Sequence, residues 1–218
     1  MIEDAAESLG SYYKGRHTGT MGRLAALSFN GNKIVTTGGG GCVLSDDDDL
    51  AKTARHLTTT AKVPHSWEFI HDQVGFNYRM PSINAALGCA QLEQLPLFLA
   101  RKRALAGSYR KAFEGIDGVT FAGEPRNTQS NYWLNVILLD PGAAHLRDHI
   151  LTKSNAAGYE TRPAWQPLHT LPMYSDCPRM DTPVAQDLYR RLINLPSGPG
   201  IVARDQAGDG PDADGDSG

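Results

Sequence analysis

The sequence has few cysteines and no long hydrophobic run. Its three cysteines, Cys42, Cys89 and Cys177, are far apart and lack the spacing of a metal site or of a disulfide framework. This usage is typical of a reduced, cytoplasmic compartment. The apolar runs fall short of the roughly 20 residues that a membrane-spanning helix needs. We therefore expect neither a metal centre nor a membrane span.

The chain also carries little excess charge of either sign. Its 21 Lys and Arg residues against 24 Asp and Glu residues leave a net charge of −3. The longest basic cluster, Arg101-Lys102-Arg103, stands at helical spacing among apolar residues and is interpreted as a solvated helix face. The acidic run at residues 46–49 is typical of a capped helix start. Nucleic acid is therefore not expected as a partner.

A hydrophobic content of 40% is enough for a buried core, and the apolar pattern predicts both strands and helices. Pro96 is expected to separate two long helices. In chain order, the predicted elements are a helical turn at 4–10, strands at 24–29 and 41–44, helices at 50–57, 81–95 and 97–113, a strand at 132–139, a helix at 143–157, a strand at 158–162 and a helix at 184–192.

One lysine, Lys33, stands between a predicted strand that ends at Phe29 and a run of four glycines. The turn residues before it can carry the lysine out of the strand end and into a cleft. The flanking Asn32 and Ile34 exclude a Walker A loop, and glycines that open a strand exclude a dinucleotide fingerprint. From these residues alone, Lys33 is either a solvated loop lysine or a held nucleophile.

Four separate segments share their order and spacing with one known family. They read EDAAESLG at 3–10, SFNGNK at 28–33, TGGGG at 37–41 and GFNYRM at 75–80. Together they resemble the DegT-type sugar-nucleotide aminotransferases, which are fold type I pyridoxal-phosphate enzymes, and the resemblance extends over residues 2–197.

The resemblance implies an α/β fold that is the C-terminal part of a fold type I transferase. It implies that residues 1–95 form part of a cofactor-binding large domain, with a mixed sheet and helices, and that residues 96–202 form a connecting helix and a small α+β domain. Residues 203–218 are rich in aspartate and glycine and are expected to be a disordered tail. Because only three residues precede Asp4, we expect the chain to be an N-terminally truncated enzyme.

The same resemblance assigns roles to five residues around pyridoxal 5′-phosphate. Lys33 would form the Schiff base with the cofactor and move the proton in catalysis, and Asp4 would pair with the pyridine nitrogen. Glu7 would reach the ring face or its hydroxyl group, and Ser28 would bind the phosphate. Asn77 would reach the phosphate from the neighbouring subunit, which implies a homodimer with a shared active site. Considered alone, Asp4 can be a helix-start acid and Ser28 the end of a strand.

The implied reaction moves an amino group from glutamate to a 4-keto-6-deoxy sugar nucleotide for surface-polysaccharide or nonulosonic-acid biosynthesis. Arg162 would hold the glutamate carboxylate and His169 a sugar hydroxyl or phosphate, although a solvated arginine and a hydrogen-bonded histidine are equally simple. Arg79 would belong to the subunit interface or touch a phosphate. The segments at 161–169 and 177–181 resemble the enzymes that aminate a UDP-linked N-acetylhexosamine on the route to legionaminic acid.

Two other functions are alternatives to an aminotransferase. The related sugar 3-dehydratases carry histidine where this chain has Lys33, so the lysine argues against that chemistry. A truncated, non-catalytic aminotransferase-like domain would keep the same residues without a complete pocket. Binding of pyridoxal phosphate, and folding without an upstream half, would separate that possibility from an enzyme.

Overall fold

The computed structural model of the protein describes residues 1–201. The predicted disordered tail at 203–218 lies outside them. The strands are β1 (Ile2–Asp4), β2 (Tyr12–Tyr13), β3 (Arg16–His17), β4 (Leu24–Ser28), β5 (Gly41–Leu44), β6 (Lys62–Val63), β7 (Ile70–His71), β8 (Val119–Phe121), β9 (Thr128–Gln129), β10 (Asn135–Leu139), β11 (Arg162–Pro163) and β12 (Leu192–Leu195). The α-helices are α1 (Asp48–Thr58), α2 (Ser82–Glu93), α3 (Leu95–Phe113), α4 (Arg147–Ala156) and α5 (Pro183–Arg191).

These residues divide into two compact units. The first unit comprises Met1–Leu99 and Glu124–Trp133, and the second comprises Ala100–Gly123 and the described residues from Leu134 to Ile201. None of the helices between residues 1 and 201 has the length and apolar character that crossing a bilayer requires.

The first unit is built on a three-stranded sheet in the order β1-β4-β5. Strand β4 is parallel to β1 and antiparallel to β5, so the predicted mixed sheet of an α/β fold is confirmed. Ala25 and Leu27 are only 2% and 8% exposed. Since side chains alternate along a strand, Ala26 and Ser28 lie on the opposite face. Asp4 pairs with Ala26 and therefore shares that face.

Helix α1 confirms the predicted acidic helix start, although it begins two residues earlier than expected. Asp47 precedes the helix, and its carboxylate accepts hydrogen bonds from the backbone N–H groups of Asp49 and Leu50, both at 3.1 Å. These bonds satisfy donors that a helix N-terminus leaves open. The predicted helical turn at 4–10 is wrong, because Asp4 ends β1 and the residues after it form tight turns.

The glycine run closes a loop back onto the end of β4. The backbone N–H of Phe29 donates to the carbonyl of Gly40 at 2.9 Å, and the N–H of Thr37 donates to the carbonyl of Phe29 at 2.9 Å. Gly38 and Gly40 have φ values of 80° and 108°. Residues that carry a side chain rarely adopt these φ angles, so glycine is required at both positions for the loop to return to the end of β4.

Helix α2 holds this loop from one side. The side-chain amide of Asn84 donates to the carbonyl of Thr37 at 2.5 Å, and Thr37 itself is 1% exposed. A Cβ atom at Gly88 would lie 2.9 Å from the Thr37 methyl group. The contact between α2 and the loop therefore depends on the side-chain amide of Asn84 and, one helical turn later, on the absence of a Cβ atom at Gly88.

The carboxylate of Glu3, in β1, binds the loop that leads into β4. It accepts backbone N–H bonds from Gly19 and Met21 at 2.7 Å each and from Gly22 at 2.5 Å. The bond from Gly19 and the bonds from its neighbours lower the pKa of Glu3 below its ordinary value of 4.5. A carboxylate with several such donors is stabilised in its charged form.

Glu3 is therefore expected to make the protein sensitive to acid. A lowered folded-state pKa gives stability that is present above the ordinary value and is lost as the pH falls through the folded-state value. Glu3→Gln should be less stable at neutral pH, and its melting temperature should fall less than that of wild type between about pH 6 and about pH 3, a range that extends below the ordinary pKa of 4.5. Thermal unfolding across this range measures the effect, with Glu93→Gln on α2 as the control. Equal acid sensitivity in wild type and Glu3→Gln would contradict the prediction.

The second unit contains a four-stranded antiparallel sheet in the order β11-β12-β10-β8. Ile137 and Ile193 pair across its centre and are 4% and 0% exposed. The predicted strand at 132–139 is confirmed only from Asn135, because Tyr132 has a φ of 47° that a regular strand does not permit. The predicted helix at 143–157 is a 3₁₀ segment, Pro141–Leu146, followed by α4.

The interpretation of the basic cluster as a solvated helix face is wrong for Lys102. Lys102 lies on α3 and is 3% exposed, and its Nζ donates to the carbonyl of Ser197 at 2.6 Å. The hydroxyl of Tyr109 donates to the carbonyl of Pro196 at 3.0 Å. Residues after β12 thus cover this face of the helix. Burial lowers the pKa of Lys102 to about 8.

Candidate functional site

Lys33 borders an open depression in the first unit. The depression is shallow and open to solvent, with a cavity volume of only about 10 Å³. Three residues that the sequence assigned to one site, Glu7, Ser28 and Lys33, meet here although 26 positions separate the first from the last. The complete lining consists of Ala6, Glu7, Leu9, Ser28, Lys33, Ile34, Val35, Asn131 and Trp133.

The backbone around Lys33 fixes where its side chain begins. The N–H of Lys33 donates to the carbonyl of Asn30 at 3.0 Å, which closes the turn after β4. The next two residues, Ile34 and Val35, are 9% and 1% exposed and anchor the chain in the core. A turn whose backbone is fixed at both ends holds the side chain of Lys33 in one direction.

The side chain of Lys33 is largely shielded from solvent. It is 11% exposed, and its ammonium group forms an ion pair with the carboxylate of Glu7. Its Nζ also lies 4.4 Å from the centroid of the Trp133 ring, which is within cation–π range. Of the two possibilities that the residues left open, the solvated loop lysine is wrong, and a lysine held in a defined position remains.

Ser28 and Asp4 lie at the carboxyl ends of two parallel strands. The hydroxyl oxygen of Ser28 accepts the N–H of Asn30 at 3.3 Å. Asp4 is the last residue of β1, and its carboxylate accepts the N–H of Ala6 at 3.2 Å. The register puts Asp4 and Ser28 on the same sheet face, but only Ser28 lines the depression.

Two lining residues, Asn131 and Trp133, were not predicted from the sequence. Asn131 is 4% exposed, and its side-chain amide donates to the carbonyls of Glu7 at 2.7 Å and Leu9 at 3.0 Å. The indole N–H of Trp133 donates to the carbonyl of Asn32 at 2.9 Å. In the sequence, these two residues appear only as polar and aromatic residues that precede an apolar strand. That pattern does not predict which residues they contact.

Asn77 and Arg79 belong to the first unit but do not line the depression. Both are exposed. The backbone of Asn77 forms an antiparallel bridge with Thr59, at the end of α1, and the N–H of Tyr78 donates to the carbonyl of Thr58 at 2.9 Å. The segment is therefore held at its backbone while these two side chains point to solvent.

Arg162 and His169 lie in the second unit. The guanidinium of Arg162 donates to the side chain of Asn155 and to the carbonyl of Thr161, both at 2.8 Å. His169, in the 3₁₀ turn Leu168–Thr170, has its Nε2 atom 3.0 Å from the amide nitrogen of Gln186. Each side chain thus has a hydrogen-bond partner within its own unit.

The functional groups in the first unit match what pyridoxal phosphate needs from a protein. Lys33 offers an amine for the aldehyde carbon, and Ser28 offers a hydroxyl donor for a phosphate oxygen. Asp4 offers a carboxylate for the pyridine nitrogen on the same sheet face. The residues therefore fit the cofactor by their chemistry.

Comparison with known proteins agrees with this chemistry. The chain is 40% identical over 210 residues to EpsN of Bacillus subtilis (strain 168), which is named as a pyridoxal phosphate-dependent aminotransferase, covering 94% of this chain and 53% of EpsN. It is 41% identical over 203 residues to a GDP-perosamine synthase of Escherichia coli O157:H7, covering 92% of this chain and 54% of that protein. The chain spans about half the length of these relatives.

A solved structure has the same fold. The PLP form of Spr1654 from Streptococcus pneumoniae, named as a sugar aminotransferase, superimposes with a TM-score of 0.83 at 25% identity, covering 90% of this chain and 52% of that one. The sequence model of the DegT/DnrJ/EryC1/StrS aminotransferase family matches residues 1–208 of the chain. Pyridoxal phosphate is the cofactor that this family and its PLP-form structure indicate. The chain belongs to the DegT/DnrJ/EryC1/StrS aminotransferase family.

Proposed function

We propose that this chain carries the catalytic lysine of a sugar-nucleotide aminotransferase, and that Lys33 is that residue. The observation that supports this most is the position of Lys33, whose side chain is 11% exposed and is held beside Glu7 and Trp133 at the depression. A surface lysine without a function would instead extend into water, because its ammonium group is strongly hydrated.

Each proposed role follows from the chemistry of one side chain. The Nζ atom of Lys33 would hold the aldehyde of the cofactor, and its free amine would carry the proton that leaves the substrate carbon. Ser28 would hold the phosphate and Asp4 the pyridine nitrogen. Glu7 would reach the cofactor ring or its hydroxyl group. When bound, the cofactor supplies the electron sink that the protein lacks.

We further propose that the enzyme is a cytoplasmic homodimer in which Asn77 reaches the phosphate of the neighbouring subunit and Arg79 belongs to the interface or binds a phosphate. The segment around Asn77 supports this, since it exposes large apolar side chains that water solvates poorly. They are Trp67, Phe69, Val74 and Tyr78, which are 80%, 81%, 83% and 73% exposed. Light scattering coupled to gel filtration measures the oligomeric state.

For the substrates, we propose glutamate as the amino donor and a 4-keto-6-deoxy sugar nucleotide as the acceptor. Arg162 would bind the glutamate carboxylate and His169 a sugar hydroxyl or phosphate. The segments at 161–169 and 177–181 favour a UDP-linked N-acetylhexosamine, on a route to surface polysaccharide or a nonulosonic acid such as legionaminic acid. A GDP-linked sugar is the second candidate, because a relative with 41% identity is a GDP-perosamine synthase.

The alternative proposal is an aminotransferase-like domain without catalytic activity. The chain spans about half the length of its relatives, and a complete pocket can require the other half. In this case Lys33 and its neighbours would fold as described without binding the cofactor tightly.

One spectroscopic experiment tests the proposal. The purified chain is incubated with pyridoxal phosphate, and its visible absorbance is recorded before and after glutamate is added. A visible band from lysine-bound cofactor that shifts toward the ultraviolet with glutamate supports the enzyme. A folded chain without the band supports the non-catalytic alternative. UDP- and GDP-linked 4-keto sugars, added to the glutamate-treated protein, then distinguish the acceptors by which one restores the original band.

A further inference from the structure

We propose that Trp133 is a positioning residue for Lys33. Its ring face holds the ε-ammonium group of the lysine, and its indole N–H holds the backbone just before it. The inference rests on the proposed function, since it concerns the same lysine.

The first step of the argument is the pair of contacts that Trp133 makes. Its ring centroid lies 4.4 Å from the Nζ of Lys33, and its Nε1–H donates at 2.9 Å to the carbonyl of Asn32. One side chain thus contacts both the reactive end of the lysine and the peptide unit that precedes it. These two contacts restrict a side chain that otherwise has many rotamers.

The second step is that Trp133 is itself fixed. The backbone N–H of Trp133 donates to the side-chain oxygen of Asn131 at 2.9 Å. The amide nitrogen of Asn131 binds the carbonyls of Glu7 and Leu9, so the segment is attached to the turn that carries the partner of Lys33. A group that positions a catalytic residue needs such support from its own neighbours.

The third step is that Glu7 and Trp133 act differently on the ammonium group of Lys33. Glu7 provides an opposite charge, but its side chain is 45% exposed, so water weakens the ion pair. Trp133 covers another side of the same amine with an aromatic face, which attracts a cation and excludes solvent. Trp133 therefore sets the direction of the Nζ atom, and Glu7 compensates its charge.

The test measures how fast the amine of Lys33 reacts in the absence of cofactor. The neutral amine of an accessible lysine attacks the ring of trinitrobenzenesulfonate and displaces sulfite, and mass spectrometry of the peptides reports the trinitrophenyl group on each lysine separately. Trp133→Leu should raise the labelling rate of Lys33 about tenfold, because the amine loses the aromatic ring that covers it and the contact that restricts its side chain. Trp133→Phe keeps a ring face but loses the indole N–H, so its labelling should be faster than that of wild type and slower than that of Trp133→Leu.

Three controls make the result specific. Lys52, whose side chain is 76% exposed, should react equally in all variants. Lys102, which is 3% exposed, should stay slow as long as the protein is folded. Tyr159→Leu, at an aromatic residue of the second unit that is 64% exposed, should leave Lys33 unchanged.

The proposal is overturned if Trp133→Leu leaves the labelling of Lys33 within twofold of wild type. It is also overturned if Lys102 accelerates as much as Lys33, since Trp133 would then support the whole fold rather than one amine. A failure of the proposed function looks different, because wild type would then show no visible band with pyridoxal phosphate whatever the labelling of Lys33.

Discussion

Lys33→Ala should bind no pyridoxal phosphate covalently and should show no visible band from lysine-bound cofactor. The substitution removes the amine that the proposal assigns to the aldehyde and to proton transfer. In a complete enzyme that contains this chain, turnover should fall by about three orders of magnitude or more, because one amine is proposed to supply both functions. Absorbance spectra and mass analysis after borohydride reduction measure the covalent linkage directly.

The matched control is Lys52→Ala on α1, where the side chain is 76% exposed. This variant should keep the band. Lys33→Arg retains the positive charge beside Glu7 but cannot form the linkage, so it separates the loss of the amine from the loss of the ion pair. An unchanged spectrum in Lys33→Ala would refute the assignment of Lys33 as the cofactor lysine.

The second large effect is expected at Asn131, where Asn131→Leu should lower the free energy of unfolding by about 2–4 kcal/mol. Leucine has a similar shape but leaves the partly buried carbonyls of Glu7 and Leu9 without the amide donor of a side chain that is 4% exposed. Buried acceptors that lose their partner cost more than the average hydrogen bond contributes. Denaturant unfolding, followed by circular dichroism, measures the change.

A nearby polar residue provides the comparison for Asn131. Gln129 lies in β9 and is exposed, so Gln129→Leu should change the unfolding free energy by less than about 0.5 kcal/mol. If both variants lose the same stability, the buried amide is not what holds this segment. Because Asn131 also fixes the Glu7 turn, Asn131→Leu should accelerate the labelling of Lys33 as well.

The position of Lys33 was predictable because its signals are local. A strand end, a turn and a glycine run lie within about a dozen residues, and each follows from the conformational preferences of its own residues. The strands at 24–29 and 41–44 were predicted from their own residues, whereas the mixed sheet that joins them was expected from the family resemblance alone. These features need no knowledge of distant contacts.

The rest of the site depends on contacts between residues far apart in the chain. Asn131 and Glu7 are 124 positions apart, and Trp133 and Asn32 are 101 positions apart. No periodicity or motif encodes such a pair in a single sequence. The burial of Lys102 was missed for the same reason, because the residues that cover it follow 95 positions later.

The contact between α2 and the glycine loop has a consequence for mutational tolerance. Asn84 and Gly88 lie far from Lys33 in the sequence and touch none of the proposed reactive groups, yet they hold the loop that follows it through Thr37. A library that randomises α2 to change its solvent-exposed side should therefore find these two positions intolerant, while the exposed Ile83, which is 85% exposed, accepts many residues. Selecting such a library for cofactor binding would then identify the residues of α2 that support the loop, although Lys33 itself is unchanged.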